Sequence, residues 1–361
     1  MSGGRFSATR MRALVLTEPG DPPGLEVTGL PVPTPGPGQV LIEVAACGLN
    51  PVDASLAGSR HPAWAERHVL GLDVAGTILA GGSGVHRLRV GDRVVVHTDL
   101  RAEGGLAELC VADAAAVARL PDSVAFVDAA ALPCAGMTAY ESVVRRLRVG
   151  PADSVLVTGG NGGVGGFAVQ LAALAGARVI ATASSDHARV HALGASIVID
   201  HRSPDAFDQV VAAAGRRGID AVVNTVSAGS ATDQLALLNH GGGIACIAGR
   251  AELANVEPFG VAPSVHEIAL GAAYSHGGEE ARRRLRTMLA ALLELVDRRR
   301  LDPMVRRVVG LDEAAEALRS VGDRHGRGKT VVRVGSPEPG IGTRPAEGAA
   351  VMAHDDKSEV S

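Results

Sequence analysis

The segment from Ser154 to Leu174, SVLVTGGNGGVGGFAVQLAAL, constrains this chain more than any other. It begins as an apolar strand (Ser154 to Thr158), turns through the glycine-rich run Gly159 to Gly165 and continues as a helix. Gly160, Gly162 and Gly165 satisfy the GxGxxG spacing, and the strand before and the helix after give that spacing its meaning. Such a turn passes through positive dihedrals, lets backbone approach a pyrophosphate, and allows the helix to lie close against the strand. The first-turn amides of Gly163, Val164 and Gly165 then face the anion at the positive end of the helix. This predicts a dinucleotide site. The alternative is a glycine-rich turn in an α/β protein that holds no ligand.

The sequence downstream repeats the pattern. ARVIATA, SIVID, GIDAVVNTV and GGIACIAG read as buried strands, with helical stretches such as SDHARVHALG between them, the signature of right-handed βαβ crossovers on a parallel sheet. From Met11 to Arg119 the pattern differs. MRALVL, QVLIEVAACGL, VAGTILA, DRVVVH and AELCVA are apolar or alternating runs of strand length, broken by PVPTPGPG and GGSG, which suggests a small barrel or open β-domain. Beyond a helix over Glu279 to Arg300, LDPMVRRVVGLDEAAEALRSVGDRHGRGKTVVRV reads as strand, helix, loop and strand that could return to the first domain. With 361 residues, 46% of them apolar, there is material for two full cores. We expect an α/β chain: a β-barrel domain over 11–125 completed by 300–335, a doubly wound cofactor domain over 126–299, and a disordered tail over 336–361.

Composition excludes other classes. Thirty-five basic residues against 39 acidic ones, a formal charge of -4, lack the basic balance that a nucleic-acid partner demands. No run of about eighteen uncharged apolar residues suits a membrane span, and the N-terminus carries no apolar signal core, so a soluble, cytoplasmic protein is expected. Cys47, Cys110, Cys134 and Cys246 stand singly and support neither a disulfide framework nor a CxxC zinc site.

The end of the second strand of the cofactor domain decides between NAD and NADPH, because an acidic residue there bonds the ribose hydroxyls and repels a 2'-phosphate. The position falls at Ala183 or Ser184, which are neutral; Ser184 and Ser185 can donate to a phosphate and Arg189 can pair with it. NADPH is therefore expected. Asp186 is the contrary signal, either a ligand of the NAD ribose or a cap of the next helix.

GLNPVD (48–53), GLDVAG (71–76), GDRV (91–94), AAALPCAGMTAYESV (129–143), VLVTGGNGGVGGFAVQLA (155–172) and GRGKTVV (326–332) together resemble the medium-chain dehydrogenase/reductase superfamily, in particular its zinc-independent quinone oxidoreductase-like branch. The resemblance runs from Met11 to Val334. It implies a GroES-like β-barrel catalytic domain, a Rossmann domain of the doubly wound, parallel-sheet kind inserted within it, an active site between them, and a homodimer. In the zinc-dependent members a Cys, a His and a further Cys or Asp hold the metal; here those positions read Asn50, Leu72 and Cys134, which cannot form a three-ligand zinc site. Cys134 is then expected to be a small buried apolar residue, and His61, His68, His86 and His97 ordinary surface or loop residues.

The resemblance further implies Asn50 as the catalytic-domain residue whose amide meets the nicotinamide ribose or a substrate carbonyl, the other reading being a turn-stabilising Asn before Pro51. Asp53 would support that loop. It also implies Thr138 near the nicotinamide ribose, Arg189 and His201 near the 2'-phosphate, Ala248 and Gly249 after a strand, and Lys329 closing over the cofactor, the other reading of Lys329 being a solvated lysine at a turn before the strand TVVRV. A tyrosine that many relatives carry after the first motif is here Ser55, and Trp64 is the one large ring nearby. The expected activity is hydride transfer from NADPH to a small molecule, a quinone or an α,β-unsaturated carbonyl. The alternatives are an enoyl or tailoring reductase of secondary metabolism, or a non-catalytic NADPH-binding redox sensor.

Overall fold

The computed structural model describes residues 9–254, 256–322 and 327–335. The expected tail, 336–361, lies outside the described residues. The first eight strands are β1 (Arg10–Glu18), β2 (Gly24–Pro31), β3 (Gln39–Leu49), β4 (His68–Val69), β5 (Asp73–Gly81), β6 (Arg93–His97), β7 (Leu109–Asp113) and β8 (Ala118–Arg119). The middle of the chain carries β9 (Ser154–Val157), β10 (Arg178–Thr182), β11 (Ile197–Ile199), β12 (Ile219–Asn224), β13 (Leu238–Cys246) and β14 (Ser264–Glu267). It closes with β15 (Val305–Gly310) and β16 (Lys329–Arg333).

The middle strands form one parallel sheet in the order β11-β10-β9-β12-β13-β14. Counted from β9 this is 3-2-1-4-5-6, the doubly wound order, whose direction of winding reverses between β9 and β12. β9 is buried along its whole length because helices cover both faces of such a sheet, so its residues need not alternate. The helix Gly163–Leu174 that follows is buried from Gly165 through Ala172, lying between the sheet and the helix Pro133–Tyr140.

The other strands curl into the GroES-like part. β2-β1-β4 make a small sheet, and β15-β16-β3-β5-β6-β8 make a larger one, with β7 pairing antiparallel with the first half of β3, from Gln39 to Glu43, where β16 does not reach. Register shifts between Leu41 and Ile42 and between Val44 and Ala46 give β3 the bends that closure requires. After the parallel sheet the chain returns: β16 pairs antiparallel with β3, and β15 lies parallel to β16. The largest apolar cluster crosses from barrel residues such as Ile42 and Val95 through Leu132 and Met137 to Val157 and Phe167 of the Rossmann-type part. The two parts therefore share one apolar cluster, beside clusters of their own such as Leu14 with Leu106 in the barrel and Leu156 with Val222 on the parallel sheet.

Candidate active site

The glycine turn is shaped by close approach. Gly159 has φ +66°, where a side chain is strained, and a Cβ on Gly165 would lie 2.1 Å from the Gly159 carbonyl oxygen. Gly162 is the N-cap of the helix Gly163–Leu174 and has no side chain to cap with, so the first-turn N–H groups have no side-chain acceptor. Asn161 Nδ2 donates to the Ser185 carbonyl at 2.7 Å, tying the turn to the end of β10, while its Oδ1 is buried without a partner. A turn that no Cβ can fill, free amides and an orphaned acceptor fit the pyrophosphate and ribose of a dinucleotide.

The returning segment reaches this turn directly. Gly328 bridges to Gly162, and its N–H donates to the Asn161 carbonyl at 2.9 Å. Lys329, the next residue, is buried, and its ammonium donates to the Leu49 carbonyl at 2.8 Å and to Asn50 Oδ1. Asn50 Nδ2 in turn donates to Asp73 Oδ2 at 2.9 Å, with a longer contact to the Gly48 carbonyl at 3.4 Å. Asp73 Oδ2 lies 3.6 Å from Lys329 Nζ, and Asp73 Oδ1 meets His97 Nδ1 at 3.0 Å and accepts from the Cys134 N–H at 2.9 Å. A fully buried carboxylate is thus held by an ammonium, an amide, an imidazole and a backbone donor, as buried charge requires.

Asp53 stands one shell out. Its Oδ2 accepts from the Asn50 N–H at 2.9 Å, the loop-supporting bond anticipated from the sequence. Burial, and then the neighbouring charge of Asp73, push its pKa up to about 7. Burial also pushes the Cys134 and Cys47 thiols well above their ordinary values, so neither is a ready thiolate.

The remaining expected residues distribute around these two centres. Thr138 is buried on the helix Pro133–Tyr140, one turn after Cys134. Ser184 is half-buried just beyond β10, and His201 is exposed in the turn after β11. Ala248 and Gly249 are exposed past the end of β13. Arg189 Nη2 contacts Asp302 Oδ2 at 3.4 Å and Met304 Sδ at 3.5 Å, rather than a group of the β10 end, and its Nε is buried without a partner. Both Asn50 and Lys329 direct their polar groups into the protein: the Asn50 amide faces Asp73 and Lys329, not open space.

Four residues depart from expectation, the first being His68, which is 4% exposed in β4 with its Nδ1 3.5 Å from Glu103 rather than on the surface or in a loop. His97 is 3% exposed and part of the Asp73 network, because its ring ends the apolar strand β6 facing the core. Cys134 is half-buried rather than fully buried, since it starts a helix at the rim of the core. Asp186 does occupy the N-cap of the helix His187–Ala192, but with φ +52° and no side-chain cap bond; its carboxylate turns to Arg306 at 3.5 Å. Trp64 stacks on His68 at 3.9 Å and donates to the Leu100 carbonyl, a packing role. Asp73, Asn161 and Arg306 were not anticipated. A lone carboxylate heading the apolar strand DVAGTILAG was the available signal for Asp73, because an acid there needs a buried partner.

A doubly wound sheet whose phosphate turn abuts a GroES-like barrel defines an oxidoreductase of the nicotinamide dinucleotide class. The alcohol dehydrogenase GroES-like domain family matches residues 36–122, and the zinc-binding dehydrogenase family matches residues 193–332. The chain is 31% identical to the quinone oxidoreductase of Homo sapiens over 326 residues, 89% of this chain and 96% of that one. Among solved structures, an NAD-dependent alcohol dehydrogenase is similar at 32% identity and TM-score 0.78, covering 90% of this chain and all of that one. CurK enoyl reductase is similar at 26% identity and TM-score 0.79, covering 91% of this chain and all of that one. The chain belongs to the medium-chain dehydrogenase/reductase superfamily and is quinone oxidoreductase-like. Among the described residues no three His, Cys, Asp or Glu side chains converge as metal ligands, and no helix is long and apolar enough to cross a membrane.

Proposed function

We propose that the chain is a zinc-independent, NADPH-dependent reductase that delivers hydride to a quinone or an α,β-unsaturated carbonyl. The observation that carries this reading is the buried group of Lys329, Asn50 and Asp73, whose Asn50 stands at one of the three positions (Asn50, Leu72 and Cys134) that the resemblance aligns with zinc ligands. Those three positions hold a thiol kept protonated by burial, an amide, and a leucine with no donor atom, which cannot make a three-ligand zinc site, and the cation beside Asn50 is the Lys329 ammonium. Likeness to the human quinone oxidoreductase supports the substrate class. Likeness to CurK enoyl reductase supports the second reading, an enoyl or tailoring reductase.

Bound NADPH supplies the hydride. The glycine turn and the amides of Gly163, Val164 and Gly165 seat the pyrophosphate, Ser184 and Arg189 border the adenosine end with His201, and Ala248, Gly249 and Thr138 border the nicotinamide half. Asn50 bridges Lys329 and Asp73, and this buried group fixes the segment that carries Gly328 against the phosphate turn. The proton that follows comes from water. We further propose a homodimer, since the parallel sheet ends on β14, and a reducing compartment, the cytoplasm, in keeping with four free thiols.

The test is NADPH oxidation by metal-depleted protein across quinones, enones and enoyl thioesters. Turnover of quinones or enones that a chelator does not reduce is the expected result; turnover of thioesters alone would favour the second reading. Recovery of activity only on adding zinc would sink the proposal, and saturable NADPH binding without turnover would turn it into a sensor.

A further inference from the structure

Arg306 lies where the barrel meets the adenosine end of the cofactor site, and nothing so far gives it a task. It sits in β15 with its Cγ against Gly328, the residue that bridges to the phosphate turn at Gly162. From there its Nη2 reaches Asp186 Oδ2 at 3.5 Å, just past the end of β10. It is also near enough to Arg189 to oppose that charge. Arg189, from the sheet side, has its own loose pair, Asp302 Oδ2 at 3.4 Å, and a buried Nε with no acceptor.

We propose that Arg306 is a specificity residue for the cofactor, taking the 2'-phosphate of NADPH jointly with Arg189. This rests on the NADPH reading above. Two guanidiniums, one from each part of the molecule, stand close enough for their charges to oppose, Arg306 on Asp186 and Arg189 on Asp302, and both ion pairs are long, so both can turn to a phosphate dianion with stronger, bidentate geometry. The orphaned Nε of Arg189 gains an acceptor. The orphaned Oδ1 of Asn161, whose Nδ2 is fixed on Ser185, can accept from the adjacent ribose hydroxyl.

The arrangement also assigns Asp186. A carboxylate so close to the β10 end would by itself favour the NAD ribose diol and repel a 2'-phosphate. Arg306 offsets that charge from the other part of the molecule, so the preference is set by a residue far away in sequence from the strand end where it is ordinarily read.

The test is calorimetric titration of wild type, Arg306→Met and Asp186→Asn with two cofactor fragments, 2',5'-ADP and 5'-AMP, which requires no turnover. Arg306 is exposed, and methionine keeps its stem against Gly328, so the variant should melt with the wild type. Wild type should bind 2',5'-ADP about tenfold or more tighter than 5'-AMP, the scale of a charged hydrogen-bonded contact. Arg306→Met should lose most of that preference while 5'-AMP affinity stays within about twofold, and Asp186→Asn should bind 2',5'-ADP more tightly. Wild-type discrimination that survives in Arg306→Met overturns the assignment of Arg306 and leaves the NADPH reading standing. Equal binding of the two fragments by wild type overturns the NADPH reading, and the assignment with it.

Discussion

Lys329 Nζ lies 3.6 Å from Asp73 Oδ2 with the two side chains 3% and 0% exposed, so a lysine at the head of the last strand neutralises a carboxylate at the head of β5. Neither charge has water to fall back on, which makes each hostage to the other.

Removing the lysine alone should therefore be severe. Lys329→Met should destabilise the fold by about 3–5 kcal/mol, because Asp73 is left as an uncompensated buried charge. Combining it with Asp73→Asn should recover a good part of that loss. Urea unfolding of the two single variants and the double variant checks the coupling, and strictly additive losses would show that the pair does not interact.

Asp53 should give stability an unusual pH dependence. Its pKa rises from 3.8 in the free side chain to about 7 in the fold, so the native state retains a proton that the unfolded chain has released. The stabilising contribution is complete below about pH 4 and is lost as pH rises through about 7, a span of at most about 4 kcal/mol. Asp53→Asn keeps an acceptor for the Asn50 N–H and removes the titration. Urea midpoints measured between pH 5 and pH 8.5 should fall with rising pH in wild type relative to this variant; parallel profiles would contradict the assignment.

Gly165→Ala should damage both fold and cofactor binding. The new Cβ would meet the Gly159 carbonyl oxygen at 2.1 Å, a backbone atom that cannot rotate away, so the helix must move off β9. The expected loss is about 3 kcal/mol, the upper range for overpacking. Gly150→Ala, whose nearest neighbour is the Asp153 carboxylate at 3.9 Å, is the control and should melt close to wild type.

The thiols should be silent in the native protein. Burial raises the pKa of Cys47, Cys110, Cys134 and Cys246. Iodoacetamide at pH 8 should label none of them on the timescale that labels all four in guanidinium. Mass spectrometry reads the result, and rapid native labelling of Cys134 would show a thiolate where the structure holds a thiol.

Much of the architecture was legible because its signals are local. The GxGxxG turn between an apolar strand and an apolar helix, and the recurring strand and helix lengths after it, identify a doubly wound sheet before any contact is known. The site was legible only in part. Asn50 and Lys329 each stood out by motif, yet their sequence context pointed them at cofactor and substrate, whereas their polar atoms meet each other and Asp73. His97 looked ordinary because histidine at the end of an apolar strand carries no spacing signal.

What the sequence by itself determined is the phosphate turn and the sheet it feeds, since positive dihedrals and the exclusion of a Cβ are properties of single glycines and their neighbours. The tertiary structure alone decided which charges meet. β16 docks antiparallel to β3, which delivers Lys329 to Asn50 and Asp73; β15 lies beside it, which delivers Arg306 to Asp186. Those encounters depend on the register of strands separated by the whole parallel sheet, and burial makes them decisive, because a charge removed from water is stable only where the fold brings it a partner.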